Sequence, residues 1–287
     1  MSELARRVAS ALVAVPVVLA CVWFGDAALA TLLAAAAAVG AWEFYRIADA
    51  TGEARSFSRT GIALSALVPL GVQASASGLG TPPLAAGVLV PLALLTVAVW
   101  RRGVAGRPLA AVATTCLGVL YVAVPLSYAY ALRHHDWVAT RAGGTALVML
   151  PVLCTWASDI GAYAAGRIVG GPKLIPAVSP GKTVAGAVGG LVASGALAAA
   201  YAPAVLRPAA SLGFAPGRAL LFGLAISVAA QLGDLVESLL KRDAGVKDSS
   251  HLIPGHGGVL DRVDSLLFAL PTAYLLVGWL LLPAFGG

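Results

Sequence analysis

The chain has 287 residues, a mean hydropathy of +0.89, 59% hydrophobic residues and only 11% charged ones, a balance that excludes an ordinary soluble protein of one or two domains. Its net charge of +6 could suggest a polyanionic partner, but the Lys and Arg side chains follow the distribution of a membrane protein, so nucleic acid is a poor explanation for them. Cys21, Cys116 and Cys154 lie in apolar runs without ligand-like spacing and read as small core residues.

A spanning helix needs about 20 mostly apolar residues. Nine segments qualify in chain order: 8–24, 27–45, 60–77, 83–100, 108–132, 144–166, 183–205, 217–240 and 263–283. The predicted fold class is therefore all-α, a polytopic transmembrane bundle. The first segment follows Arg6 and Arg7 and precedes Ala28-Leu29-Ala30, which resembles a processing site, but the eight spans after it favour an uncleaved helix. With the N-terminus inside, fifteen Lys and Arg residues fall on the cytoplasmic side, and only Arg133, Arg141, Arg207 and Arg218 on the other. That asymmetry predicts a multi-pass protein of the cytoplasmic membrane, N-terminus inside and C-terminus outside, with the loop after the eighth segment in the cytoplasm.

The first five segments are Ala-, Leu- and Val-rich and read as a scaffold over 1–142. From Thr155 onward the helices gain acids and hydroxyls, which marks 143–287 as the chemically active half of a single membrane domain. The turn Arg133-His134-His135-Asp136 has metal-binding residue types without helical i,i+4 spacing and reads as a solvated turn. Gly186, Gly189 and Gly190 suit helices that pack by close backbone approach.

Two helices carry polar stripes. Thr155, Asp159, Tyr163 and Arg167 recur at i+4 steps in segment six. In segment eight Gln231, Glu237, Ser238 and Lys241 lie within about 60° of Asp234 around the helix axis. Such stripes must line a cavity or a partner helix, because charge facing lipid costs several kcal/mol. Nearly a third of the charged residues fall between Asp234 and Asp264. There the loop runs through Lys241, Arg242, Lys247 and Asp248 to Pro254-Gly255-His256-Gly257-Gly258 and then Asp261-Arg262-Val263-Asp264. Gly-rich turns flanked by Lys and Arg grip anions. Asp261 and Asp264 offer hard oxygens of the kind that bind Mg²⁺ together with substrate phosphates. The combination describes a nucleotide site. Gly181-Lys182-Thr183 ends like a phosphate-binding loop, but the leading glycine of that motif would fall at Pro176, so it is not one.

These residues resemble the phosphatidate cytidylyltransferases, or CDP-diglyceride synthases. The family signature, S-x-hydrophobic-K-R-x4-K-D followed by H-G-G-hydrophobic-x-D-R-hydrophobic-D, is met by Ser238, Lys241, Arg242, Lys247, Asp248, His256, Gly257, Gly258, Asp261, Arg262 and Asp264. The upstream D-T-G-A-Y and G-R pattern appears at Asp159, Gly161, Ala162, Tyr163, Gly166 and Arg167, and S-P-x-K-T at Ser179, Pro180, Lys182 and Thr183. Ile160 replaces the usual Thr, and Ala185 stands where many members carry Glu. The resemblance covers the C-terminal 130 residues or so.

The resemblance implies that the phosphate of phosphatidic acid attacks the α-phosphorus of CTP, giving CDP-diacylglycerol and pyrophosphate at a lipid bilayer. It implies Mg²⁺, with K⁺ as a second cation, on Asp234 and Asp261, and it admits a homodimer. Asp234, Lys241, Arg242, Asp261, Arg262 and Asp264 are the implied catalytic set. Asp159, Ser179, Lys182, Ser238, Lys247, Asp248, His256, Gly257 and Gly258 are the implied substrate-binding set, the two glycines through backbone N–H groups. A cation-coupled transporter would account for Asp159, Asp234 and Glu237 but not for the loop. A CTP-using lipid kinase would release CDP and leave no cytidine on the lipid. The D-G-x2-A-R motif of CDP-alcohol phosphotransferases is absent, since the chain has no Asp-Gly pair.

Overall fold

The computed structural model describes residues 3–52, 55–78, 83–212, 215–253 and 257–280. Each of the nine apolar segments is helical over nearly all of its described residues: α1 (Glu3–Phe24), α2 (Asp26–Ala50), α3 (Ser58–Ala76), α4 (Pro83–Arg101), α5 (Pro108–Gly118) with α6 (Val124–Arg133), α7 (Arg141–Ile168), α8 (Val184–Tyr201) with α9 (Arg207–Ala210), α10 (Pro216–Asp243) and α11 (Leu260–Leu280). Helices satisfy their own backbone, which the hydrocarbon interior requires. Among the described residues five are long and apolar enough to cross a membrane: Asp26–Ala50, Pro108–Arg133, Arg141–Ile168, Val184–Ala210 and Pro216–Asp243. Shorter apolar helices, Leu12–Phe24 and Gly87–Arg101, occupy two more of the expected spans. The protein is an all-α, multi-pass membrane protein.

Two of the long spans loosen into π turns, at Val119–Ala123 and Ala202–Leu206. Pro125 and Pro203 remove backbone donors there and crowd the preceding turn, which accounts for the local change of winding.

The chain forms two compact units. The first comprises Met1–Tyr130 and Leu240–Arg262, and the second Ala131–Leu239 and Val263–Gly287. The stretch Asp234 to Asp264, which reads as one segment in sequence, is therefore divided, and its loop packs with the N-terminal residues.

In the first unit Tyr45 organises the core. It is 1% exposed, and its hydroxyl donates to the Thr115 carbonyl at 2.7 Å. Its ring fills the space where a Cβ on Gly61 or Gly118 would stand, which lets α3 and α5 close on α2. Phe44 packs edge-on to Tyr45 at 5.6 Å between ring centroids. Arg102 ties the ends of these helices, donating to the Ser56 carbonyl at 2.9 Å and lying over the Phe57 ring.

In the second unit α7 and α8 meet backbone to backbone. A Cβ on Gly189 would run into Ala165 and the Gly161 carbonyl, and one on Gly186 would stand 2.8 Å from the Ala162 carbonyl. The glycine spacing read from sequence thus marks a helix crossing. Between α7 and α8 the chain turns through Gly170 and Gly171, at φ +66° and +91°, into an antiparallel hairpin of β1 (Lys173–Ile175) and β2 (Ser179–Thr183). Thr183 then caps α8, its hydroxyl oxygen accepting from the Gly186 N–H at 3.0 Å. The turn after α6 is partly packed: His135 packs tilted against Trp137 and Tyr274, with ring centroids 4.8 and 5.5 Å away, and burial pushes its imidazole below the usual histidine range.

Candidate active site

Each unit holds one cluster of the residues that the sequence singles out. In the second unit a cleft of about 670 Å³ is bounded by α7, the hairpin, α8 and α10. Asp159, Tyr163 and Arg167 project into it from successive turns of α7, Lys182 from β2, and Gln231 and Asp234 from α10. Lys182 Nζ meets Asp234 Oδ2 at 2.8 Å, and the hairpin carries that ammonium to the acid across 52 residues of sequence. Asp234 Oδ1 accepts from Ser238 Oγ at 3.3 Å. Gln231 fixes the α8 side of the cleft, donating to the Ala187 carbonyl at 3.1 Å and to Ser227 Oγ at 3.0 Å. Arg167 Nη1 donates to Tyr163 Oη at 2.7 Å.

The stripe on α7 therefore divides. Asp159, Tyr163 and Arg167 line the cleft, whereas Thr155 is buried and its hydroxyl donates to the Pro151 carbonyl of its own helix at 2.9 Å. Ile160 is 70% exposed on a spanning helix, as a lipid-facing apolar residue would be. The acids that line the cleft are Asp159 and Asp234, and Ala185 does not line it. Glu237 is 1% exposed and is not part of the lining. Ser179 begins β2, paired in register with Ile175.

In the first unit the cluster is built on Asp261. Its carboxylate accepts from Lys241 Nζ at 2.7 Å, from Ser249 Oγ at 2.7 Å and its N–H at 3.0 Å, and from the Gly258 N–H at 2.8 Å. Asp261 is 8% exposed and Lys241 13%, so the pair is largely shielded from solvent screening. The Gly258 N–H, expected from sequence to face an anionic ligand, is given to Asp261. Gly257, at φ +79°, instead uses its carbonyl, which accepts from the Ile253 N–H at 2.9 Å. Arg242, Lys247, Asp248 and Arg262 are exposed around this frame. Asp264 lies in the second unit, where its Oδ1 accepts from the Ser265 N–H at 2.6 Å. His256 lies outside the described residues.

Sequence reasoning missed Glu43. It sits on α2, in the half read as plain scaffold, and is fully buried. It accepts from Ser250 Oγ at 2.5 Å, the Val259 N–H at 3.1 Å, the Leu260 N–H at 2.6 Å and Ser249 Oγ at 3.3 Å. The rule that an acid inside an apolar span needs a reason would have flagged it.

Gly258 is squeezed between these groups, since a Cβ there would collide with Ser249 Oγ and Glu43 Oε1. Gly258→Ala is expected to destabilise the loop by roughly 1–3 kcal/mol. Faster limited proteolysis between Leu252 and Gly258, with a lower melting temperature, is the expected reading. An unchanged cleavage rate would contradict the packing described.

The two aspartates differ in the acceptor capacity they have left. Asp234 is about a third exposed and keeps oxygen lone pairs in a cleft that also holds Asp159 and the Gln231 amide, a set of hard oxygens that fits Mg²⁺. Asp261 already satisfies Lys241, Ser249 and Gly258, and would have to exchange donors to bind an ion directly.

A family model described as the cytidylyltransferase family matches residues 5–280. The chain belongs to that family. Curated relatives include proteins named phosphatidate cytidylyltransferase from Staphylococcus saprophyticus, 40% identical over 166 residues, from Bacillus subtilis, 39% over 161, and from Brucella suis, 49% over 135. These matches cover 58%, 56% and 46% of this chain and 59%, 56% and 47% of the relatives, so the chain spans about half the length of the curated relatives it matches. In this cytidylyltransferase-family chain, each of the two clusters sets a lysine ammonium against an aspartate carboxylate.

Proposed function

We propose that this chain is a phosphatidate cytidylyltransferase of the cytoplasmic membrane, acting on CTP and phosphatidic acid. The family match over nearly the whole chain carries the reading, and the Lys182–Asp234 cleft gives it a chemical basis. In the reaction an oxygen of the lipid phosphate bonds to the α-phosphorus of CTP, the bond from that phosphorus to the bridging oxygen breaks, and pyrophosphate leaves with the electron pair. The attacking group is already an anion, so the protein's work is to hold two polyanions in line and neutralise their charge.

Lys182 and Arg167 are proposed to neutralise phosphate in the cleft. Arg242, Lys247 and Arg262 are proposed to do so from the loop, with Lys241 supporting Asp261. A divalent ion, with K⁺ as a second cation, would supply further charge stabilisation at the transferred phosphoryl group. Asp234, in its cleft, is the residue best suited to hold the divalent ion. The Lys and Arg asymmetry supports a site facing the cytoplasm, where CTP is available, while the acyl chains stay in the bilayer.

Purified protein given CTP labelled at the α-phosphorus, Mg²⁺ and phosphatidic acid is expected to yield one labelled lipid of the mass of CDP-diacylglycerol, with one pyrophosphate per CTP consumed. CDP release without lipid labelling would replace the reading with a lipid kinase. Cation movement without CTP consumption would replace it with a transporter. Chelation by EDTA is expected to abolish lipid labelling and added Mg²⁺ to restore it; labelling that persists in EDTA rules the metal role out.

A further inference from the structure

The Ser249–Leu260 loop is held by two carboxylates, and they arrive from opposite ends of the sequence. Asp261 follows the loop directly. Glu43 comes from α2, more than 200 residues earlier, and is fully buried. The two meet at Ser249, whose hydroxyl lies 2.7 Å from Asp261 Oδ2 and 3.3 Å from Glu43 Oε2. Val259 immediately precedes α11 and Leu260 opens it, and backbone N–H groups at a helix start have no partner within the helix. Glu43 takes both of them, one on each oxygen. A carboxylate is also the favoured charge at a helix N-terminus. Glu43 thus caps α11 from another helix, and it does so immediately before Asp261.

We propose that Glu43 is a positioning residue for the proposed cytidylyl transfer: by fixing Ser250, Val259 and Leu260 it holds Asp261, Lys241 and the exposed basic side chains of the loop in working geometry. This inference rests on the proposed function for its chemistry, though not for its contacts. Fully burying a carboxylate is costly unless it is well hydrogen-bonded. A structural anchor for α2 alone would need no partners in this particular loop. The side chain touches no exposed group itself, so it acts through the loop.

Glu43→Gln separates positioning from bulk stability. The amide nitrogen must replace either Oε1 or Oε2, and so must face either the Val259 or the Leu260 N–H, donor against donor. Neither backbone group can turn away. Exchange of the Val259 and Leu260 amides with solvent deuterium is expected to rise about tenfold or more. kcat/KM for CTP is expected to fall about 100-fold, the usual consequence of a slight misplacement of distant groups. The melting temperature of the solubilised protein should move by only a few degrees. Glu43→Asp keeps two acceptor oxygens and should recover part of the loss, while Ser250→Ala, which removes the bond to Glu43 and the acceptor of the Leu252 N–H but leaves both backbone bonds of Glu43, should lower kcat/KM about tenfold. If Glu43→Gln does not fold, the Ser250→Ala exchange and activity measurements decide by the same criteria. Unchanged exchange at Val259 and Leu260 overturns the proposal whatever the activity does, and so does wild-type kcat/KM alongside faster exchange. A wild-type protein that never consumes CTP instead fails the cytidylyltransferase reading, and the exchange result still reports on the cap.

Discussion

Asp261→Asn is expected to lower CTP-dependent liponucleotide formation by about 1,000-fold while leaving the protein inserted and folded. The Asp261 carboxylate is the hub of the loop: Oδ1 takes the Lys241 ammonium, and Oδ2 takes the Ser249 hydroxyl and the Gly258 N–H. Asparagine offers one acceptor and one donor. Placed on Oδ1, its NH2 opposes Lys241; placed on Oδ2, it opposes Gly258. Either orientation also leaves a shielded ammonium without its counter-charge, which is more harmful than removing both partners together. The loop would relax and the basic groups around it would lose their registration. Lipid product is read by mass, and folding by the melting temperature in detergent. Turnover at the wild-type rate would show that Asp261 does not organise the reaction.

Asp234→Asn is expected to have an effect of similar size, for a different reason. Asp234 is a third exposed, faces the cleft and contacts Lys182. If its role is to carry a cation, removing its charge lowers kcat by about 1,000-fold and raises the Mg²⁺ concentration needed for half-maximal rate. Lys182→Met, which removes the proposed phosphate-neutralising group, should lower kcat/KM by about 100-fold without moving that requirement. The double variant is decisive. Were Asp234 only the counter-ion of Lys182, Asp234→Asn/Lys182→Met would be no worse than Lys182→Met alone. A double variant as poor as Asp234→Asn supports the cation role, and recovery to the Lys182→Met level refutes it.

Much of this was legible in the chain. Helical spans follow from apolar runs because lipid leaves the backbone no other way to satisfy its hydrogen bonds. Gly186 and Gly189 announced a close crossing, because a side chain there would hold two helices apart. Asp159 and Asp234 stood out as acids on apolar helices and Lys182 through the family resemblance, and the structure brings Asp234 and Lys182 to 2.8 Å. Thr155 illustrates the limit of helical periodicity: it shares a face with Asp159, but a hydroxyl can be satisfied by its own helix, and the Pro151 carbonyl takes it. A charged group has no such local outlet.

Glu43 shows the limit more sharply. Trp42-Glu43-Phe44 contains one acid in an apolar helix, and no spacing connects it with Ser249, Ser250 or Leu260 more than 200 residues later. The sequence by itself determined the membrane-embedded helices and the family and named the candidate residues, because each depends on local composition and ordered motifs. Only the tertiary structure decided that the loop before Asp261 packs with the N-terminal helices, that a hairpin delivers Lys182 to Asp234, and that Glu43 caps the start of α11. Those depend on where unpaired donors and acceptors meet in space. A buried carboxylate must find its donors wherever folding places them, and chain order carries no record of that distance.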